Sequence, residues 1–282
     1  MNDPTDSARR GPWDLPVDPV PSSPPPADRP PVQPDLVKGQ HPAWALISTA
    51  LLGGFIWWIS GSWVIAVAAI FGLLVHEYGH VLAMNRLGMG PAKIYIIPFL
   101  GGVARGQRMP VSEWDGVLVS LAGPAFGILA AIPFFALGAY TAQAEWFVGA
   151  AAIAAINLIN LAPAPPLDGS KALGPVLARI HPMVEMAVMV LIGLAVVAWG
   201  VMNGSYIFAV FLALALIGHL RRGTWRPEGR QLTWREVGMS VGLFLVTAIL
   251  CAGVGVAALA PLTDGSVGGA LEIGGRYFGI GR

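Results

Sequence analysis

The chain has 282 residues, of which 55% are hydrophobic and 12% charged, and its mean hydropathy is +0.65. A soluble domain carries about 25% charged residues, so this composition excludes a soluble globular protein, offers no basic surface for nucleic acid, and leaves a polytopic membrane protein. The net charge of +1 directs no partner, and the lone cysteine, Cys251, sits in an apolar run, which rules out an internal disulfide and a cysteine metal cluster.

Residues 1–42 hold 12 of the 24 prolines, with Asp, Arg and Ser and few large apolar residues. Such a stretch cannot bury enough surface to fold and is expected to be a disordered tail of polyproline II character; its other reading is a docking arm for a proline-recognising partner. It is not a signal peptide, because apolar residues begin only near Ala43. A first span is expected over residues 44–59 and, after Ser60-Gly61-Ser62, a second over 63–84. Residues 91–107, PAKIYIIPFLGGVARGQ, are too short and too broken to span. Ile94 to Ile97 and Val103-Ala104 read as strands, with Gly101-Gly102 as the turn between them. This predicts a β-hairpin dipping into the membrane against protein; the alternative is an ordinary surface loop.

A third span is expected over 116–140, entered through Ser112-Glu113-Trp114-Asp115, a Ser cap with an acidic first turn. Its Gly123-Pro-Ala-Phe-Gly127 suits close helix packing and a local kink. A fourth span, 146–161, ends in Asn157-Leu-Ile-Asn160 and breaks at Pro163-Ala-Pro-Pro-Leu-Asp-Gly169. Further spans follow at 183–201, 205–220 and 237–260, and residues 262–282 form a short Gly-rich tail. The expected fold is an all-α polytopic membrane protein with about six to seven transmembrane helices and a membrane-dipping hairpin near the site. Its transmembrane domain would cover 43–261, with a core at 63–180. Arg221, Arg222, Arg226, Arg230 and Arg235 cluster between the last two spans and mark that loop as cytoplasmic. Counting back puts residues 1–42, Arg86, the hairpin and Asp168 on the cytoplasmic side, and Ser60, residues 141–145 and Asn203-Gly204 outside.

The second span carries His76-Glu-Tyr-Gly-His80, an H-E-x-x-H pattern. On a helix the two histidines share one face, one turn apart, and both can reach one Zn²⁺ at ~2.0–2.1 Å. Glu77 beside them can take a proton from water at the metal. Ionisable residues inside an apolar helix are costly and point to function; the alternative is a chance match with satisfied histidines. At ~1.5 Å per residue His80 lies ~9 Å and His76 ~15 Å from Arg86 along the axis, inside the bilayer and nearer the cytoplasm. A catalytic zinc wants a third protein ligand. Asp168, on a proline-broken segment at matching depth, is the candidate; without the zinc motif it would read as a helix cap.

Together, His76-Glu-Tyr-Gly-His80 and Asn160-Leu-Ala-Pro-Ala-Pro-Pro-Leu-Asp-Gly169 resemble the paired motifs of the site-2 protease family of intramembrane zinc metalloproteases. The resemblance covers about residues 63–180. It implies one Zn²⁺ per chain, held by His76, His80 and Asp168, with Glu77 as general base. Asn160 would be the motif asparagine that helps hold substrate or the oxyanion. It further implies a transmembrane protein substrate with the lipid bilayer as surroundings, and the compact architecture suggests a bacterial cytoplasmic membrane. Many members add a PDZ or CBS domain, for which this sequence has no room. Two other classes remain: a different membrane metalloprotease, whose third ligand is a Glu on a later helix (Glu185 is the weak candidate), and a non-catalytic metal-binding or transport protein. An intact Glu77 argues against the latter.

Overall fold

The computed structural model describes residues 39–98, 101–222 and 229–277, so most of the stretch expected to be a disordered tail lies outside the described residues. Helix α1 (Pro42–Ser60) starts with proline at its first position, where the missing N–H costs nothing. The His41 side chain accepts from the Ala43 amide, and Gly61, at φ 68°, closes the helix in the left-handed region. Helix α2 (Trp63–Arg86) is capped by Ser62, whose hydroxyl accepts from the Ile65 amide, and carries Arg86 in its last turn. At 1.5 Å per residue its 24 residues extend ~36 Å, enough to cross a bilayer.

The hairpin follows as β1 (Lys93–Ile97) and β2 (Gly101–Arg105), antiparallel in the register Lys93↔Arg105 through Ile97↔Gly101. Gly101 and Gly102 therefore do not make the turn, as the sequence suggested, but open the second strand. Next come α3 (Glu113–Gly127), a 3₁₀ turn at Ile128–Ala130 and α4 (Ala131–Thr141), together one apolar stretch of 29 residues. Pro124 sits inside α3, four residues before the ladder tightens to 3₁₀. Helices α5 (Ala144–Asn160), α6 (Asp168–Ile180), α7 (Pro182–Met202), α8 (Tyr206–Arg222), α9 (Trp234–Leu259) and α10 (Val267–Tyr277) complete the chain.

Among the described residues, five helical stretches are long and apolar enough to cross a membrane: α1, α2, α3 with α4, α7 and α9. Helices α5 and α8 are apolar but shorter, 17 residues each. These seven coincide with the seven apolar runs of the sequence. Helix α6 is the exception: short, amphipathic and buried on one face. The Gly-rich tail likewise folds in part, since α10 packs back on α9.

Helix α2 is the centre of the bundle, packed on α1, α3 and α5. Small residues allow the approach, as is usual between helices in lipid. A Cβ at Gly79 would overlap the Ala122 carbonyl of α3, and one at Gly72 would lie 2.9 Å from Ile153 of α5. A second core unites Val117 and Leu121 of α3, Ala172 and Val176 of α6, and Cys251 of α9. A third pins the broken segment before α6, through Ala164 and Leu167, to Leu212 of α8. The start of α9 is fastened to the start of α3. The buried Glu113 carboxylate accepts from the Leu232 amide at 2.9 Å, the Glu113 amide donates to Arg230 O, and Arg230 forks onto Glu236 at 2.7 and 2.8 Å. Arg230 and Arg235 therefore lie at the same end of the bundle as the hairpin and the start of α3.

Candidate metal centre

His76 and His80 stand one turn apart on the buried face of α2, and Asp168 is the first residue of α6. They are 2%, 6% and 7% exposed. His76 Nε2 lies 3.1 Å from His80 Nε2 and 3.1 Å from Asp168 Oδ2, and His80 Nε2 lies 3.3 Å from the same oxygen. Asp168 is not the cap of its helix. That position belongs to Leu167, with no side-chain cap, while the Asp168 carboxylate faces the histidines. Gly169 makes the approach possible, since a Cβ there would overlap the Leu161 carbonyl.

The far side of each imidazole decides what the near side can do. His80 Nδ1 is 2.8 Å from the Val119 carbonyl, so it carries the hydrogen and donates. His76 Nδ1 is 2.9 Å from Asn157 Oδ1. The Asn157 amide is oriented by its own Nδ2, which donates to Ile153 O at 2.8 Å, so Oδ1 is the acceptor and His76 Nδ1 the donor. Both Nε2 atoms then present lone pairs, and with Asp168 Oδ2 three acceptors converge on one point. A cation there turns this repulsion into ligation. Ligands ~2.0–2.1 Å from a tetrahedral zinc lie ~3.3–3.4 Å apart, within a few tenths of an ångström of the separations found. The residues present therefore fit a zinc ion, held by two imidazoles, each braced by a second partner as ligating histidines usually are.

Glu77, 5% exposed, sits beside this group on the side of the hairpin. Its carboxylate accepts from the Ala104 amide of β2. Gly102 has no side chain because Glu77 occupies that space; a Cβ there would be 2.6 Å from Glu77 Cγ. His76, Glu77, His80 and Asp168 all open onto one cavity of about 500 Å³. Leu52, Phe55 and Ile56 of α1, the β2 backbone, and Phe208 and Phe211 of α8 give it apolar walls. Asn160 lines this cavity too, and its Nδ2 donates to Ile156 O at 3.0 Å rather than to a histidine.

Two residues were not assigned to the site from sequence. Asn157 reads as part of a helix end, yet it is fully buried and holds His76; the available signal was a polar amide three residues inside an apolar helix, which must find a partner. Gly123 reads as packing alone, yet a Cβ there would overlap His80 Nε2 and lie 2.9 Å from His76 Nε2. It is the point at which the α3 backbone closes on the Nε2 side of both rings.

Residues 64–153 match the family model of peptidase family M50. The matched stretch takes in α2 with the HEYGH motif, the hairpin, α3, α4 and most of α5; Asn157, Asn160 and Asp168 lie beyond it. No curated protein and no solved structure matches the chain.

Proposed function

From the peptidase family M50 region, which carries His76 and His80, and from Asp168 brought against them, we propose that the chain is an intramembrane zinc metalloprotease. It would hydrolyse peptide bonds within or near transmembrane segments of membrane-protein substrates. The observation that carries this reading is the convergence of His76 Nε2 and His80 Nε2 of the apolar helix α2 with Asp168 Oδ2, with Glu77 on the same cavity wall. Zinc held by His76, His80 and Asp168, one per chain, would supply a Lewis acid that polarises the scissile carbonyl and acidifies water.

The chain's own residues would do the rest. Asn157 and the Val119 carbonyl keep both rings in the tautomer that leaves Nε2 free. Glu77 accepts the proton of the attacking water and hands it to the leaving amine. The Ala104 amide fixes the carboxylate for this work. Asn160 spends one amide hydrogen on Ile156 O; the other is free to donate to the substrate carbonyl as negative charge develops on it. The buried site excludes bulk water, so each of these interactions is stronger than at a surface.

A helical substrate hides its carbonyls in i→i−4 bonds and must unwind before cleavage. The unwound stretch would add as a strand along β2, whose residues Gly101 to Ala104 line the cavity. Val103→Pro, which removes a donor from the hydrogen-bonded pair Tyr95↔Val103, should then abolish cleavage while zinc stays bound, and unimpaired cleavage would remove the hairpin from the mechanism. The arginine-rich loop before α9 supports a site toward the cytoplasm, in what we take to be a bacterial inner membrane. The reading is tested by reconstituting the wild type and Glu77→Gln with a single-span reporter protein. Cleavage by the wild type alone, at equal zinc content, supports a protease; equal behaviour of the two proteins would favour a metal-binding or transport role.

A further inference from the structure

The hairpin has two edges, and the structure treats them differently. Gln40 lies two residues before α1 and 56 residues from Ile96, yet its side-chain amide makes both bonds that a neighbouring strand would make. Its Nε2 donates to Ile96 O at 2.9 Å, and its Oε1 accepts from the Ile96 amide at 2.8 Å. A primary amide has the same donor and acceptor in the same plane as a peptide group, so one side chain serves as one residue of a third strand. The corner that delivers it is tight. Gly39, at φ +62°, lies against Lys93, and a Cβ there would be 2.8 Å from Lys93 Cδ.

The register says where this leaves the other edge. Both backbone groups of Ile96 point away from β2, so Ile96↔Gly102 is a pair without mutual hydrogen bonds. Such pairs alternate, so Ile94↔Ala104 is of the same kind. The backbone N–H and C=O of Gly102 and Ala104 therefore point away from β1, and the Ala104 amide indeed meets Glu77. The edge next to the candidate base is the one facing the cavity; the opposite edge carries Gln40.

We propose that Gln40 is a positioning residue for substrate: it stands in for a third strand on the outer edge of the hairpin and so holds β2 ready for strand addition beside Glu77. The inference rests on the protease reading and adds to it. A two-stranded hairpin is marginal alone. If only the ordered hairpin accepts substrate, apparent affinity falls by the fraction of time it is ordered. Two hydrogen bonds set that fraction, so losing them should cost on the order of tenfold in affinity. Turnover of the bound substrate, in which the hairpin is ordered by the substrate itself, should not change.

The test uses full-length Gln40→Ala and Gln40→Glu, the latter keeping the acceptor for the Ile96 amide and losing the donor. KM and kcat for a single-span reporter are measured beside zinc content and hydrogen exchange at the Ile96 amide. The expected result for Gln40→Ala is fast Ile96 exchange, KM raised on the order of tenfold, and kcat and zinc unchanged. Gln40→Glu should fall between it and the wild type. Fast exchange with an unchanged KM overturns the proposal, and so does a joint fall of kcat and zinc in both variants, which would mark Gln40 as a residue of the fold alone. Failure of the protease reading looks different: a wild type that cleaves no faster than Glu77→Gln overturns both.

Discussion

Gly123→Ala is the smallest change that should empty the metal centre. The added methyl would overlap His80 Nε2 and stand 2.9 Å from His76 Nε2, whereas carbon and its neighbours rest at about 3.5–4.0 Å. The rings or the α3 backbone must therefore give way by roughly an ångström. Metal–ligand distances tolerate about ±0.2 Å, so a shift of that size takes a histidine out of reach. Overpacking of this kind costs about 1–3 kcal/mol of stability, which a bundle this size can survive. Zinc affinity should fall further than the 10–100-fold typical for losing a partner behind a ligand, since a ligand itself is displaced. The control is Gly116→Ala in the same helix, where a Cβ meets nothing within 4 Å and helix propensity should improve by up to about 1 kcal/mol. The assay is zinc per protein by elemental analysis at buffered free zinc, with thermal unfolding alongside. Full zinc and wild-type cleavage in Gly123→Ala would refute the packing argument and with it the placement of both rings.

Asn157→Ala removes the acceptor behind His76; chelator competition should show zinc bound 10–100-fold more weakly, with Asn157→Asp recovering much of the loss because it still accepts from Nδ1. Orientation is tested by single cysteines at Gln143 and Gln231, the native Cys251 being buried. An impermeant thiol reagent outside intact cells should label the first and spare the second, and the reverse pattern would invert the topology.

Much of this arrangement can be read from local pattern. The seven apolar runs became α1, α2, α3 with α4, α5, α7, α8 and α9 because burial in lipid is decided by composition over about 20 residues. His76 and His80 could be placed on one face from their spacing alone. Asp168 could be selected but not separated from a helix cap, because the choice depends on where α6 begins; the helix starts one residue too early for Asp168 to cap it. Contacts between distant segments left weaker traces. Asn157 meets His76 across 81 residues, and Gly123 is shaped by rings on another helix. The Gly101-Gly102 pair satisfies a turn rule as well as a strand that must pass Glu77, and only the position of Glu77 decides. Gln40 sits at the end of a proline-rich stretch, where nothing local marks an amide that will complete a hairpin. Helix α10 is too short and too rich in glycine to stand out from a tail.

The central claim is that Asp168 completes a zinc site in which Glu77 does chemistry without binding the metal. The most direct measurement is zinc per protein in the purified wild type, Asp168→Ala and Glu77→Gln, with cleavage of the same single-span reporter beside it. The wild type should hold about one zinc and cleave, Asp168→Ala should hold little zinc and not cleave, and Glu77→Gln should hold full zinc and not cleave. Full zinc in Asp168→Ala would contradict the central claim and leave the third ligand unassigned.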